Sequence, residues 1–273
     1  MDVAEPLALP RSVLLALWLP SALASAEGRS RAVRAVTGDD EPHLVSAEAT
    51  GDDDAGPGSA SLSDLLARWA EPGVPVHSAA LLPVPGDVSG LVPAVADIAV
   101  DAGECALVSL GELSWALVPE VEEFGSAWET GHLVTWQLRE VPAWGLRLPG
   151  LVGSLSEAEQ ALRRALLEAT EALAGLDVAR WREDAAATIA SLRSDQDPGW
   201  DLPRDVAPRS LQVLARAVRL RAIVALATAD DGGAMNLWQA DRRSEALRHV
   251  DHASRRAVAA ATAAATAQPR TDR

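Results

Sequence analysis

The chain has 273 residues, 48% hydrophobic and 23% charged, which is typical of a folded globular protein and excludes a wholly disordered one. All 24 basic residues are arginine, and the absence of lysine excludes pyridoxal-phosphate enzymes, Schiff-base aldolases and lysine-containing phosphate loops, since each needs a primary amine. Residues 1–150 contain 22 acidic residues and 7 arginines, so the whole net charge of −15 lies in that part.

An apolar run at residues 12–23 opens the chain and is followed by Ala24-Ser25-Ala26, which resembles a signal-peptidase site. A secretory signal begins with positive charge, whereas Asp2 and Glu5 precede this run. The run is also too short to span a membrane. We therefore predict a buried helix from about Arg11 in a soluble, cytoplasmic protein. The alternative is that this segment is a cleaved signal.

The next part of the chain predicts a second helix at residues 30–36, a polar loop, a short helix at 62–70, and then an antiparallel sheet. Five short runs rich in valine, leucine or tryptophan are typical of strands, and the last alternates apolar and polar residues. Their connections are too short for helical crossovers, and residues 101–104 suit a hairpin loop. The predicted strands are Val74–Val84, Ala94–Val100, Cys105–Leu110, Trp115–Val121 and His132–Val141.

From Ser154 onward the hydrophobic period becomes helical. A capping box at Ser156–Glu159 and a proline at a first helical turn mark two of the helix starts. The predicted fold class is therefore α+β, with an N-terminal helical segment and antiparallel sheet in residues 1–150. An antiparallel bundle of about four helices follows in residues 151–273, and the two parts can pack as one domain. The four helices are predicted to begin near Ser156, Asp177, Pro208 and Leu237.

Two arginines fall on apolar faces of the predicted helices. Arg221 lies in the middle of the apolar face of the third helix, and Arg243 lies within the core stripe of the last. An unpaired buried charge is unstable, so each guanidinium must find a carboxylate or a bound anion. We expect a structural ion-pair network, and the alternative is an anion-binding pocket formed by Arg221, Arg243, Asp230 and Asp231. The predicted acidic partners are Asp177, Asp184, Asp230, Asp231 and Asp251.

Three further patterns are weaker. Glu245, His249 and His252 share one helix face and can in principle hold a divalent metal, but nearby arginines repel a cation, so we expect exposed ion pairs without a metal or cofactor. Residues 39–43 collect three acids and a histidine, which suit cation coordination, acid–base chemistry or an ordinary turn. Four tryptophans lie among glutamates and are expected in the core rather than in an acidic groove. These are Trp115, Trp128, Trp136 and Trp144.

Together these features favour a non-catalytic protein–protein interaction module that uses its acidic part or its helical face. An acidic surface repels nucleic acids and anionic membranes, so we expect another protein as the partner. The alternative is a small-molecule (anion) binding protein or a hydrolytic enzyme with a pocket between sheet and bundle. Such a pocket requires at least two of six polar groups to converge, whereas an adaptor has them paired and exposes an apolar patch. The six are Arg221, Arg243, Asp230, Asp231, Glu120 and His132.

Overall fold

The computed structural model describes residues 7–47, 60–71, 73–126, 129–174, 198–228 and 237–267. Within these ranges the chain forms eight α-helices and one six-stranded sheet, so the predicted α+β class is confirmed. The helices are α1 (Arg11–Ala24), α2 (Ala26–Thr37), α3 (Leu62–Arg68), α4 (Ala96–Ala102), α5 (Leu148–Val152), α6 (Leu155–Ala174), α7 (Pro208–Thr228) and α8 (Leu237–Thr266). The strands are β1 (Leu44–Ala47), β2 (Ala60–Ser61), β3 (Val76–Leu81), β4 (Cys105–Leu110), β5 (Leu113–Ser126) and β6 (Glu129–Glu140).

The sheet has the order β2-β1-β6-β5-β4-β3. Its last four strands form the predicted antiparallel meander. The first strand, β1, instead joins β6 in parallel, with Leu44 beside Thr135. This mixed edge was not predicted, because β1 has only four residues and too few alternations to identify a strand.

The predicted strand at Ala94–Val100 is wrong. Residues 93–95 form a turn of 3₁₀-helix that starts at a proline, and α4 follows directly, with Val95 and Ala99 buried one turn apart. Gly103 then ends α4 in the left-handed conformation at φ 71°, so residues 101–104 are a helix terminus rather than a hairpin loop. A short apolar run is compatible with a strand or a helix, so hydrophobic periodicity could not distinguish the two here.

The C-terminal helices largely follow the prediction. Helix α7 begins at Pro208 and α8 at Leu237, as expected, whereas the helix predicted from Asp177 lies outside the described residues. The capping box of α6 is two residues earlier than predicted, because Ser154 Oγ accepts from Glu157 N at 3.3 Å and Glu157 Oε2 accepts from Ser154 N at 2.7 Å. Both serines precede a glutamate by three residues, so the sequence contains two overlapping capping patterns.

Two hydrophobic cores lie on the two faces of the sheet. Along β4, Leu107 belongs to the core shared with α4 to α8, whereas Val108 belongs to the core shared with α2 and α3. Helix α1 contributes to both cores and is buried along most of its length, which confirms the helix predicted from Arg11. Among the described residues, no helix combines the length and apolarity needed to cross a bilayer.

Side chains of α8 close the outer edge of β3. Ala80 N donates to Thr262 Oγ1 at 3.0 Å, and Ser78 N donates to Thr266 Oγ1 at 3.2 Å. Thr266 Oγ1 also donates to Ser78 O at 2.7 Å, and Arg255 Nη1 donates to Leu82 O at 3.4 Å. Four helical residues advance about 6 Å and two strand residues about 6.7 Å, so threonines four apart match alternate residues of β3. The edge is therefore paired by a helix instead of by another strand.

We predict that Thr262→Val destabilises the protein by about 1–3 kcal/mol, because the volume is kept while the buried Ala80 N–H loses its acceptor. The matched control is Thr228→Val at the exposed end of α7, where the hydroxyl bonds only to its own helix among the described residues. Urea unfolding followed by circular dichroism measures both. Equal stability of the two variants would contradict the edge-closing role of Thr262.

Candidate functional site

A chain of alternating charges lies where the loop after β3 meets α8. Asp87 Oδ2 accepts from His252 Nδ1 at 2.6 Å and lies 2.8 Å from Arg255 Nη1. Arg255 Nε donates to Asp251 Oδ2 at 2.7 Å, and Asp251 Oδ1 lies 3.5 Å from Arg221 Nε. Because each acid contacts two basic side chains, the network neutralises its own charge.

Asp87 is the most strongly perturbed acid of this network. Although burial acts to raise the pKa of Asp87, hydrogen bonds from Ser89, His252 and Arg255 hold it far below its ordinary value. Ser89 Oγ donates to Asp87 Oδ1 at 2.8 Å, so both carboxylate oxygens have donors. A carboxylate held ionised in this way is stabilised as a structural partner and is a poor proton donor.

Arg221 pairs with Asp251, one of its predicted partners, but its side chain is 30% exposed and therefore only half-buried. Arg243 is also half-buried, and its Nη2 donates to Ala227 O at 2.6 Å in the last turn of α7, where carbonyl groups attract a cation. Among the described residues, the deeply buried guanidinium is that of Arg255, 8% exposed. The predicted partners Asp177, Asp184, Asp230 and Asp231 lie outside the described residues.

The sequence did not single out Arg255. Helical periodicity assigns one buried face to a helix, whereas most residues from Ala253 to Thr262 of α8 are buried because this helix packs on α6, α7 and β3 at once. The signal that could have revealed it is the spacing Asp251 to Arg255, an i,i+4 pair of opposite charge.

The three weak metal candidates do not converge. His249 Nδ1 lies 3.0 Å from Glu168 Oε2 on α6, whereas His252 binds Asp87, and Glu245 is exposed. In the part of the chain that the structure describes, no group of three histidine, cysteine or acidic side chains is arranged so that it could hold a metal ion. The two histidines connect α8 to two different elements instead of forming a ladder along one helix.

The segment at residues 39–43 forms a second polar cluster, centred on Asp40. Arg11 Nε and Nη2 donate to its two oxygens at 2.6 and 2.9 Å, and His43 Nε2 and His132 Nδ1 lie 3.1 and 3.2 Å away. Trp136 Nε1 donates to His43 Nδ1 at 3.1 Å, so His43 carries its proton on Nε2. Burial lowers the pKa of His43. Since both ring nitrogens are engaged, His43 is a structural residue here.

The outer half of the β5–β6 hairpin extends beyond its neighbouring strands. Pairing of β4 with β5 ends at Leu117, and β1 pairs with β6 only from Thr135 onward. We call residues 120–126 and 129–133 the acidic arm, because it contains four glutamates and no arginine. Apart from the half-buried Gly131 and His132, its residues are exposed. The glutamates are Glu120, Glu122, Glu123 and Glu129.

One face of the acidic arm carries two adjacent apolar side chains. Phe124 is 45% exposed and Leu133 46% exposed. The Phe124 ring covers Gly131, since a Cβ at that glycine would lie 2.4 Å from the ring. Glu122, paired across the strands with Leu133, borders this apolar pair.

Trp136 and Trp144 are buried, as expected for core residues, and Trp115 packs against Trp69 with ring centroids 5.0 Å apart. Trp128 lies outside the described residues. The tryptophans and glutamates stand out in the sequence, but the first predicted strand ends too early, at Val121, and the second begins too late, at His132. The arm itself was therefore missed.

We predict that Arg255→Met destabilises the protein by about 3 kcal/mol, because the carboxylates of Asp87 and Asp251 each lose a guanidinium partner in a mostly buried site. Arg221→Met is the matched control. It should cost less than about 1 kcal/mol, since Arg221 is half-exposed and its ion pair is longer. Thermal and urea unfolding measure both changes, and a larger loss for the control would contradict the assignment of Arg255 as the central cation.

Family models match both parts of the chain. Residues 12–148 match the model described as Rv1486c-like protein, N-terminal domain, and residues 156–259 match the model described as Rv1486c-like protein, C-terminal domain. No curated protein and no solved structure matches the chain. The two matched segments are separated by residues 149–155, which include most of α5 and the capping serine of α6.

Proposed function

The chain belongs to the Rv1486c-like protein family, and we propose that it is a non-catalytic protein–protein interaction module that binds a basic partner through the acidic arm. The observation that carries this proposal is the exposed apolar pair of Phe124 and Leu133, which shares its face of the arm with Glu120, Glu122 and Glu129. Single exposed apolar residues are common on protein surfaces, but an adjacent pair with a charged border is typical of a contact site.

Charge determines the kind of partner. Glutamates at the border of an interface attract a basic surface, increase the rate of association and disfavour acidic competitors. Phosphate backbones and anionic lipid headgroups would be repelled by the same residues, so the proposed partner is a protein and neither a nucleic acid nor a membrane.

The proposed location is the cytoplasm, where the lone thiol of Cys105 stays reduced. Burial raises the pKa of Cys105 to about 12, so this thiol stays protonated and unreactive.

The alternative, a binding or hydrolytic pocket between the sheet and the C-terminal helices that contains Arg221 or Arg243 with aspartates, has less support. The space beside Asp87 and Arg255 has a volume of about 10 Å³, room for about one water molecule and far below the roughly 300 Å³ of the smallest typical small-molecule sites. Of the groups expected to converge there, Arg221 pairs with Asp251, and His132 pairs with Asp40. Glu120 accepts a hydrogen bond from Gln137 at 2.9 Å. Mutual pairing of this kind favours an adaptor over an enzyme.

The triple variant Glu122→Gln, Glu123→Gln and Glu129→Gln tests the arm. Immobilised protein is incubated with an extract of the native host, and bound proteins are quantified by mass spectrometry. We expect at least one basic protein whose retention falls about tenfold when the three charges are removed, because each border charge contributes a fraction of a kcal/mol. Raised salt should weaken the same interaction.

The matched control removes three exposed acidic charges outside the arm, by Glu27→Gln, Asp101→Asn and Glu112→Gln. This control should retain the same basic protein as the wild type. If the arm variant and the control variant retain identical sets of proteins in equal amounts, the arm is not the contact surface and the proposal fails.

A further inference from the structure

A groove of about 700 Å³ lies between the α1–α2 junction, the segment that leads into β3 and the end of α8. This volume is within the range of about 300–1,000 Å³ that is typical of small-molecule sites. Its apolar lining includes Pro20 and Leu23 on one side and Val74 and Val76 on the other. None of these residues belongs to the acidic arm or to the network around Asp87.

Backbone geometry forms the groove. Helix α1 ends at Ala24, Ser25 is extended with φ −157°, and α2 starts in a new direction at Ala26. The two helices then meet at Gly28, where a Cβ would lie 2.0 Å from Ser21 O, so only glycine permits this close approach. Because packed backbone fixes the angle between the two helices, the groove exists before any ligand binds.

The described lining contains one arginine, Arg29, and the exposed His77. Arg29 is half-buried, and the described part of the chain provides no hydrogen bond or ion pair for its guanidinium. The same groove is lined by Leu23 and Val74, which are half-buried and apolar. A guanidinium beside an apolar wall complements a molecule that has an anionic group at one end and a hydrocarbon body. Glu71 is exposed and lines the same groove, which disfavours ligands with a second negative charge.

We propose that this groove binds a small amphipathic carboxylate, whose carboxylate pairs with Arg29 and whose hydrocarbon body lies on Leu23 and Val74. The assignment is independent of the proposed interaction function, since it uses different residues. The probe is decanoate, and its uncharged counterpart is 1-decanol.

Isothermal titration calorimetry of the full chain with decanoate tests the proposal. Arg29→Met removes the charge but keeps an unbranched apolar side chain, and we expect decanoate to bind about tenfold more weakly, the usual contribution of one partly exposed charge-assisted hydrogen bond. The matched control is Arg34→Met, at an exposed arginine of the same helix, which should bind decanoate like the wild type. Ala24→Trp introduces a large side chain at an exposed position of the groove lining and should abolish binding.

The proposal is overturned if wild-type protein does not bind decanoate, if 1-decanol binds as tightly as decanoate, or if Arg29→Met binds like Arg34→Met. Circular dichroism of each variant establishes that it is folded before the titration is interpreted. The acidic-arm triple variant should bind decanoate normally, so failure of the groove and failure of the arm are separately measurable.

Discussion

The hydrogen bonds between the outer edge of β3 and one face of α8 determine how the two parts of the chain fit together. Thr266, Thr262 and Arg255 lie along this face and bond in turn to the backbone of Ser78, Ala80 and Leu82. A sheet edge left open would need water or another strand, and here a helix replaces both. The same placement brings Arg255 beside Asp87, so the charge network follows from the closed edge.

The acidic arm differs from the β3 edge in both cover and charge. The β3 edge is covered and neutral, whereas the end of the β5–β6 hairpin is uncovered and acidic. Closely spaced glutamates on an exposed hairpin hinder pairing with a second copy of the same hairpin, because like charges would meet. The same glutamates still favour contact with a basic surface. Under the proposed interaction function, an apolar pair in this setting is protected from self-association while staying available to a partner of opposite charge.

Elements with a clear local signal, such as a proline at the first helical turn or a short apolar run, were predicted from the sequence. Pro208 marks the first turn of α7, and Cys105–Leu110 matches β4 residue for residue. Elements set by tertiary contacts were missed, such as the parallel pairing of β1 and the helix in place of the strand predicted at Ala94–Val100. The predicted ion pairing of a helix arginine is present for Arg221, which contacts Asp251. The buried arginine among the described residues is nevertheless Arg255, since burial of α8 depends on what surrounds it.

Native-state hydrogen exchange followed by NMR tests the closed edge most directly. If α8 seals β3, the amides of Ser78 and Ala80 exchange as slowly as those at the centre of β4, because they open only when α8 separates from the sheet. Exchange of these two amides at the rate of an exposed edge strand, while β4 stays protected, would contradict the account.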